Sequence, residues 1–160
     1  MSEFPRTIVG GVSMPRLLVG TNWFLGYSHT SRAQDKFIRD FQTVDNMAEI
    51  LTIFGEAGVD AIMGPHMRSP LSEAIEIAEQ RTGRPIIRII TPHFNIRPDG
   101  PEEAEPERVF ASCKEQGATF CLPHQGITDA LVDRRDKVIR DLDTYTRMIR
   151  DCGMVPGLST

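Results

Sequence analysis

Short apolar runs alternate along the chain with longer amphipathic or polar stretches. This alternation is typical of consecutive βα units, whose strands form a parallel sheet. A glycine stands shortly before each of the later runs, and glycine tolerates the left-handed conformation that ends a helix. We therefore predict strands at residues 16–24, 60–64, 85–92, 119–123 and 154–159. Residues 7–12 and the Met14-Pro15 turn are expected to form an additional N-terminal hairpin.

Several helix starts are also visible in the sequence. Ser31 and Gln34 have the spacing of a capping box, which predicts a short helix within the long connection at residues 26–42. Proline suits the first turn of a helix, and Pro70 and Pro106 are interpreted in this way. One apolar stripe near the end of the chain predicts a helix packed on the core: Val138, Ile139, Leu142, Tyr145, Met148 and Ile149. Residues 95–105 are rich in Pro, Gly and acidic residues and are predicted to form a mobile loop.

These elements predict a single α/β domain over residues 1–160, with a hairpin followed by about four and a half βα units. We favour an incomplete barrel of the TIM type, because the first strand carries no glycine-rich phosphate loop and the sequence stops in a strand. A doubly wound five-stranded sheet is the alternative, since it is complete at about this length. In the barrel interpretation the first and fifth strands are open edges. A second copy of the chain or a missing C-terminal segment would cover them.

The composition narrows the choice of partner and compartment. The formal net charge is -4 and no block of Lys or Arg occurs, so nucleic acid and anionic membrane surfaces are disfavoured as partners. No apolar stretch approaches the roughly 18 residues of a membrane span, and the N-terminal segment lacks the apolar core of a signal peptide. The three cysteines show no CxxC spacing, which favours reduced thiols. We therefore predict a cytoplasmic protein.

Three histidines follow a proline at the carboxyl ends of predicted strands. The repeated tripeptides are Gly64-Pro65-His66, Thr91-Pro92-His93 and Leu122-Pro123-His124, and the first and fifth strands place Asn22 and Ser159 in the same row of side chains. Proline marks the point where a strand passes into its loop. His29 lies in the first βα loop, so all four histidines fall at the end where parallel α/β enzymes place their sites. The pattern predicts a site lined by histidines.

Clustered imidazoles on neighbouring strands support two kinds of chemistry. Strands lie about 4.8 Å apart, so His66, His93 and His124 can converge on one divalent transition metal, such as Zn²⁺, with an open coordination position. That metal would lower the pKa of a bound water or polarise a carbonyl. Without a metal, the same residues can act as general acid, general base and hydrogen-bond donors.

Other residues near the strand ends complete the predicted site. His29 and Asn22 are the proposed acid/base and orienting groups. Five side chains are candidates for contact with the substrate, as aromatic walls, as cations for an anionic group or as a member of the same row: Trp23, Tyr27, Arg68, Arg97 and Ser159. Cys121 has the opposite parity from His124 and is expected to face the helices as a small core residue.

The segment Arg16-Leu17-Leu18-Val19-Gly20-Thr21-Asn22-Trp23, preceded by a short hairpin, resembles the opening of the aldo-keto reductases. The resemblance implies a TIM barrel whose N-terminal hairpin closes the bottom, and a nicotinamide-dependent activity. That family also uses an Asp after the second strand, a Tyr just beyond it, a Lys on the third strand and a His on the fourth. Only His124 has a match here. The segment GTNWFLGYSHTS is also similar to the first strand of uncharacterised TIM-barrel proteins.

The sequence thus predicts an enzyme that acts on a small polar metabolite by metal-assisted hydrolysis or carbon-carbon lyase chemistry. Two alternatives remain open. One is a metal-free or NAD(P)-dependent barrel enzyme, and the other is a non-catalytic fragment that needs a partner chain.

Overall fold

The computed structural model describes residues 4–96 and 105–160, and its fold is α/β. The strands are β1 (Arg6–Val9), β2 (Val12–Pro15), β3 (Val19–Gly20), β4 (Ala61–Gly64), β5 (Ile87–Ile90), β6 (Ala118–Cys121), β7 (Val132–Asp133), β8 (Val138–Ile139) and β9 (Val155–Pro156). The helices are α1 (Asn22–Leu25), α2 (Arg32–Phe41), α3 (Val44–Glu56), α4 (Leu71–Thr82), α5 (Pro106–Glu115), α6 (Gln125–Leu131) and α7 (Leu142–Asp151).

Five strands form a parallel sheet in the order β3-β4-β5-β6-β9. The strands of this sheet are therefore neighbours in the order in which they follow in the sequence, and β1 with β2 and β7 with β8 form two separate hairpins. The predicted α/β class and its parallel sheet are confirmed. The described strands do not close into a barrel, because β3 and β9 are the two ends of the strand order.

The predicted N-terminal hairpin is present, but the prediction of its turn at Met14-Pro15 is wrong, because both residues belong to β2. β1 pairs with β2 in antiparallel fashion, and Gly10 and Gly11 make the turn with φ values of 54° and 83°. Arg6 ties the hairpin to the start of β4, since its Nη1 lies 2.8 Å from Oδ1 of Asp60. The same guanidinium donates from Nη2 to the carbonyl oxygen of Ser13 at 2.7 Å and from Nε to its hydroxyl at 2.9 Å.

The helix starts agree largely with the capping signals. The Ser31 hydroxyl accepts a hydrogen bond from the Gln34 N–H at 3.2 Å, and Pro106 is the first residue of α5. Pro70 is the N-cap of α4 rather than a residue of its first turn, so the helix begins one residue later than predicted. In the described part of the chain, no helix combines the length and the apolar character needed to cross a membrane.

The prediction of a strand over residues 16–24 holds only for Val19–Gly20 and is wrong on both sides of it. Asn22 begins α1 because the N–H groups of Phe24 and Leu25 both donate to the Thr21 carbonyl oxygen at 2.9 Å, which closes a helical turn. Gly26 ends this turn in the left-handed conformation, with φ at 79°. Trp23 therefore lies on a short helix rather than at a strand end.

The helix predicted from the stripe that begins at Val138 starts later than expected. Val138 and Ile139 form β8, which pairs with β7. The carboxylate of Asp133 accepts the N–H groups of Arg135 and Asp136 at 2.9 and 3.0 Å, and these hydrogen bonds turn the chain between the two strands. The rest of the stripe belongs to α7, where Tyr145 and Ile149 are buried as predicted.

The chain divides into two compact units, Met1–Arg88 and Ile89–Thr160, which are described separately. The first unit packs α3 against α4 over a core that includes Met47, Leu51, Leu71 and Ile75. In the second unit, the ring of Phe94 meets Phe110 edge to face at 5.2 Å and lies 5.0 Å from the ring of Tyr145. The single domain inferred from the sequence stays a prediction.

Candidate functional site

The second unit brings His93, His124 and Ser159 into one row. The parallel hydrogen-bond ladder continues beyond β5 and β6, since the Leu122 N–H donates to the Ile90 carbonyl at 2.9 Å and the His124 N–H to the Pro92 carbonyl at 3.0 Å. In a parallel ladder this pattern sets His124 directly beside His93. The Ser159 N–H donates to the Pro123 carbonyl at 3.2 Å, which sets Ser159 on the other side of His124. This part of the predicted row is present.

The imidazole rings of His93 and His124 lie against each other. Their centroids are 3.9 Å apart and their planes are inclined by 31°. The side chain of His93 is exposed and that of His124 is half-buried, so the pair is accessible from solvent at the carboxyl ends of the two strands. This is the end at which parallel α/β folds bind ligands.

His124 is also the N-cap of α6. Its Nδ1 accepts a hydrogen bond from the Gly126 N–H at 3.1 Å. A ring nitrogen that accepts a hydrogen bond carries no proton, so neutral His124 bears its proton on Nε2. A Cβ at position 126 would lie 3.6 Å from Nδ1 of His124 and 3.7 Å from Cε1 of His93, so a side chain there would stand over both rings.

Cys121 lies on the opposite side of β6, in agreement with the parity argument. It is fully buried. A hydrogen bond with Cys113 of α5 and, second, burial raise the pKa of the Cys121 thiol. The thiol stays protonated, and Cys121 is a core residue rather than a nucleophile.

The first unit brings His29 and Asn22 together, as their proposed roles require. Nδ2 of Asn22, the first residue of α1, lies 2.9 Å from Nε2 of His29. Both side chains are exposed. Trp23 and Tyr27, the predicted aromatic walls, lie in and just after the same short helix and are 56% and 45% exposed.

His66 also belongs to the first unit. The Arg68 N–H approaches Nδ1 of His66 at 3.5 Å. Burial and, second, the positive charge of Arg68 lower the pKa of His66, so the ring is neutral at pH 7. Arg68, predicted to hold an anionic group, is exposed.

Thr21, rather than Asn22, lies in register with the end of β4. Val19 pairs with Ile62 and Gly20 with Met63, and the Thr21 N–H donates to the Met63 carbonyl at 3.1 Å. Thr21 therefore stands beside Gly64, and its side chain fills the space that a Cβ on Gly64 would need. The prediction that Asn22 shares this row is wrong by one residue, because the chain turns into α1 at Asn22.

Arg97 lies outside the described residues, as does most of the loop predicted over residues 95–105. Within the ranges 4–96 and 105–160, no three His, Cys, Asp or Glu side chains are grouped as ligands of a metal ion. The sequence did not reveal Thr21, the capping role of His124, or the contacts of Asp35 that are described below. The capping role had one visible signal, since His124 stands between a strand and the next helix.

Comparison of the sequence with protein-family models and with curated proteins found no match.

Proposed function

We propose that this protein is an enzyme that uses His93 and His124 for acid-base chemistry on a small polar metabolite. The observation that carries the proposal is the placement of the two imidazole rings 3.9 Å apart on adjacent strand ends. Histidine exchanges protons near neutral pH, and two adjacent rings can each exchange a proton or a hydrogen bond with a different atom of one substrate.

The hydrogen bond at Nδ1 of His124 distinguishes the roles of the two rings. His124 presents Nε2–H as a hydrogen-bond donor, which suits a carbonyl oxygen that gains negative charge during a reaction. His93 is then the group that takes up a proton. Ser159, next to His124 in the row, contacts the polar end of the substrate.

The same hydrogen bond argues against the metal-assisted hydrolase or lyase in which His66, His93 and His124 are the metal ligands. A metal bound at Nε2 of His124 requires the ring proton on Nδ1. Nδ1 already accepts the Gly126 N–H, so His124 in this conformation does not suit a metal at Nε2. The metal-dependent and NAD(P)-dependent versions stay predictions from the sequence.

We further propose that the fold is an incomplete barrel of the TIM type. A doubly wound sheet requires a point at which the strand order reverses, and the order β3-β4-β5-β6-β9 has none. Right-handed crossovers between strands in unbroken order place successive helices on one face of a sheet, as in a barrel. The cytoplasmic location, a partner copy or missing segment, and the exclusion of nucleic acid and membranes remain predictions.

Two substitutions test the acid-base pair with little change to the fold. His93→Phe keeps an aromatic ring against His124 and removes both nitrogens. His124→Asn keeps a side-chain acceptor for α6, because Asn is a good N-cap, and removes the imidazole. Gln125→Ala changes an exposed neighbour and serves as the control.

Each purified protein is incubated with a pool of small polar metabolites, and consumption is followed by mass spectrometry. We expect the wild type and Gln125→Ala to consume the same compound, and each histidine variant to be slower by about 10²–10⁴-fold. Equal rates in all four proteins would refute the proposal. Loss of turnover in a chelator, restored by Zn²⁺, would favour the metal-assisted version, and a fluorescence titration with NAD(P)H tests the reductase version.

A further inference from the structure

The segment that carries His29 is held by hydrogen bonds on both sides of the histidine. Oδ1 of Asp35 accepts both the N–H of Ser28 at 2.8 Å and its hydroxyl at 2.6 Å. The Ser28 hydroxyl oxygen in turn accepts the N–H of Thr30 at 3.2 Å and the Thr30 hydroxyl at 2.9 Å. Asp35 lies in the first turn of α2, so the segment is anchored to a helix.

His29 itself has a left-handed backbone, with φ at 56°. This conformation is unfavourable for a residue with a side chain, and it persists only where the surroundings impose it. The bonds to Ser28 and Thr30 are the ones that impose it here. The Tyr27 N–H also donates to the Asn22 carbonyl at 2.7 Å, so the loop returns to α1 before it reaches His29.

The left-handed backbone sets Nε2 of His29 2.9 Å from Nδ2 of Asn22. An amide nitrogen only donates, so Nε2 of His29 accepts and the ring proton resides on Nδ1. A free histidine side chain prefers the other neutral tautomer, with its proton on Nε2. The contact with Asn22 therefore selects the less common tautomer.

We propose that Asp35 is a positioning residue for His29. By holding Ser28, Asp35 keeps His29 in the left-handed conformation and in contact with Asn22. The contact holds His29 in the Nδ1–H tautomer and presents that N–H as a hydrogen-bond donor. The chemical partner that such a donor recognises is an oxygen acceptor, as in a carbonyl or carboxylate group.

The charge of Asp35 agrees with this role. The hydrogen bonds from the Ser28 hydroxyl and, second, from the Ser28 N–H lower the pKa of Asp35. Asp35 is therefore an ionised carboxylate at neutral pH and accepts both hydrogen bonds from Ser28.

The test is the tautomer of His29, read from the ¹⁵N chemical shifts of its ring in the whole protein near pH 8. We expect the wild type to show a protonated Nδ1 and an unprotonated Nε2. Asp35→Ala should move most of the His29 population to the Nε2–H tautomer, and Asn22→Ala should do the same by removing the donor directly. Asp35→Asn should retain the wild-type tautomer, because its amide oxygen still accepts from Ser28.

Asp40→Ala is the matched control, since it removes another carboxylate from α2, one that pairs with Lys36 on the exposed side. It should leave the His29 shifts unchanged. Ser28→Ala removes the hydroxyl that donates to Asp35 and accepts both hydrogen bonds from Thr30, so it should also move most of the population, which keeps the test available if Asp35→Ala does not fold. A wild-type ring with its proton on Nε2 would overturn the proposal. So would an unchanged tautomer in both Asp35→Ala and Ser28→Ala.

This readout does not depend on turnover. Loss of the tautomer effect would leave the assignment of His93 and His124 intact, and failure of the metabolite assay would leave the positioning role of Asp35 intact. The two proposals therefore fail separately.

Discussion

Two buried threonines differ in whether their side-chain hydroxyl has a hydrogen-bond partner. Thr21 and Thr128 are each 1% exposed. The hydroxyl of Thr128 donates to the Pro123 carbonyl at 3.2 Å, whereas Oγ1 of Thr21 has no hydrogen-bond partner among the described residues. A buried hydroxyl without a partner has lost its hydration and gained nothing in return.

Replacing each threonine with valine, which has nearly the same shape, separates the two situations. We expect Thr21→Val to raise the free energy of unfolding by about 1 kcal/mol, because it removes an unpartnered polar group. Thr128→Val should lower it by about 1 kcal/mol, because the buried hydrogen bond from the Thr128 hydroxyl to the Pro123 carbonyl is lost and only the Ser159 N–H still donates to that carbonyl. Urea unfolding followed by circular dichroism measures both changes. Changes of the same sign in the two variants would contradict this description of the core.

His66 makes stability depend on pH in a known direction. Burial, followed by the charge of Arg68, lowers its pKa in the folded chain below the ordinary histidine value of 6.5. Below pH 6.5 the unfolded chain therefore binds more protons at this position than the folded chain. The contribution to stability is constant above pH 6.5 and is lost progressively as the pH falls through 6.5 toward the folded pKa.

We expect His66→Asn to flatten this dependence, since Asn does not titrate and its oxygen can accept from the Arg68 N–H as Nδ1 does. The free energy of unfolding of both proteins should run in parallel between about pH 8 and pH 7 and diverge below about pH 6.5, with the wild type losing more. Chemical unfolding at several pH values tests this. Parallel curves down to about pH 5 would show that His66 does not carry the effect.

At the scale of elements, Arg6 joins the N-terminal hairpin to the start of β4. Its guanidinium bonds Asp60 and both the carbonyl and the hydroxyl of Ser13. The Arg6 and Asp60 side chains are only 23% and 15% exposed, so this ion pair is less screened than a surface pair. A lysine cannot reproduce the several hydrogen bonds that the planar guanidinium donates in fixed directions.

We therefore expect Arg6→Lys to lower the free energy of unfolding by about 1–2 kcal/mol, as for other charge-assisted hydrogen bonds. Arg16→Lys, at an exposed position directly after β2, is the control and should change stability by less than about 0.5 kcal/mol. Thermal or urea unfolding measures both. A similar small effect for the two variants would show that the hairpin does not depend on this contact.

The elements that the sequence predicted well are those with a local cause. The Ser31 cap and the Pro106 helix start each act within a few residues. The errors arose where contacts across longer distances or unusual backbone angles decided the outcome. Lys137 takes a left-handed conformation that its residue type does not predict, and Asp141, which is also left-handed, directly precedes α7. The aromatic run after Gly20 has strand character, but hydrogen bonds to the Thr21 carbonyl make it a helix.

In the candidate site, too, the features with a local sequence signal were predicted and the others were missed. The proline-histidine repeat correctly marked strand ends, and alternation correctly directed Cys121 toward the helices, where it hydrogen-bonds with Cys113 of α5. The register between β3 and β4 could not be derived from composition, because one residue more or less in β3 leaves its apolar character unchanged. The tautomers of His29 and His124 depend on donors from Asn22 and Gly126, which only the three-dimensional contacts reveal.

At the scale of the whole molecule, the order of the parallel sheet leaves β3 and β9 as its end strands. End strands present backbone N–H and C=O groups that pair readily with another chain, and a lysine at such an edge opposes the pairing. Leu18, 37% exposed, directly precedes β3, and Ile53, 60% exposed, lies on α3. A lysine can therefore be placed at the edge of the sheet, at position 18, and on a helix, at position 53, as a test and its control.

We expect the wild type to self-associate at micromolar concentrations, with a mass in sedimentation equilibrium that rises with concentration above that of one chain. Leu18→Lys should shift the equilibrium toward the single chain by tenfold or more. Pairing of a second chain at β3 would remove water from the lysine ammonium group, which opposes the pairing. Ile53→Lys should associate like the wild type. A constant mass of one chain for all three proteins would show that the ends of the sheet need no partner copy, which would weigh against the incomplete barrel.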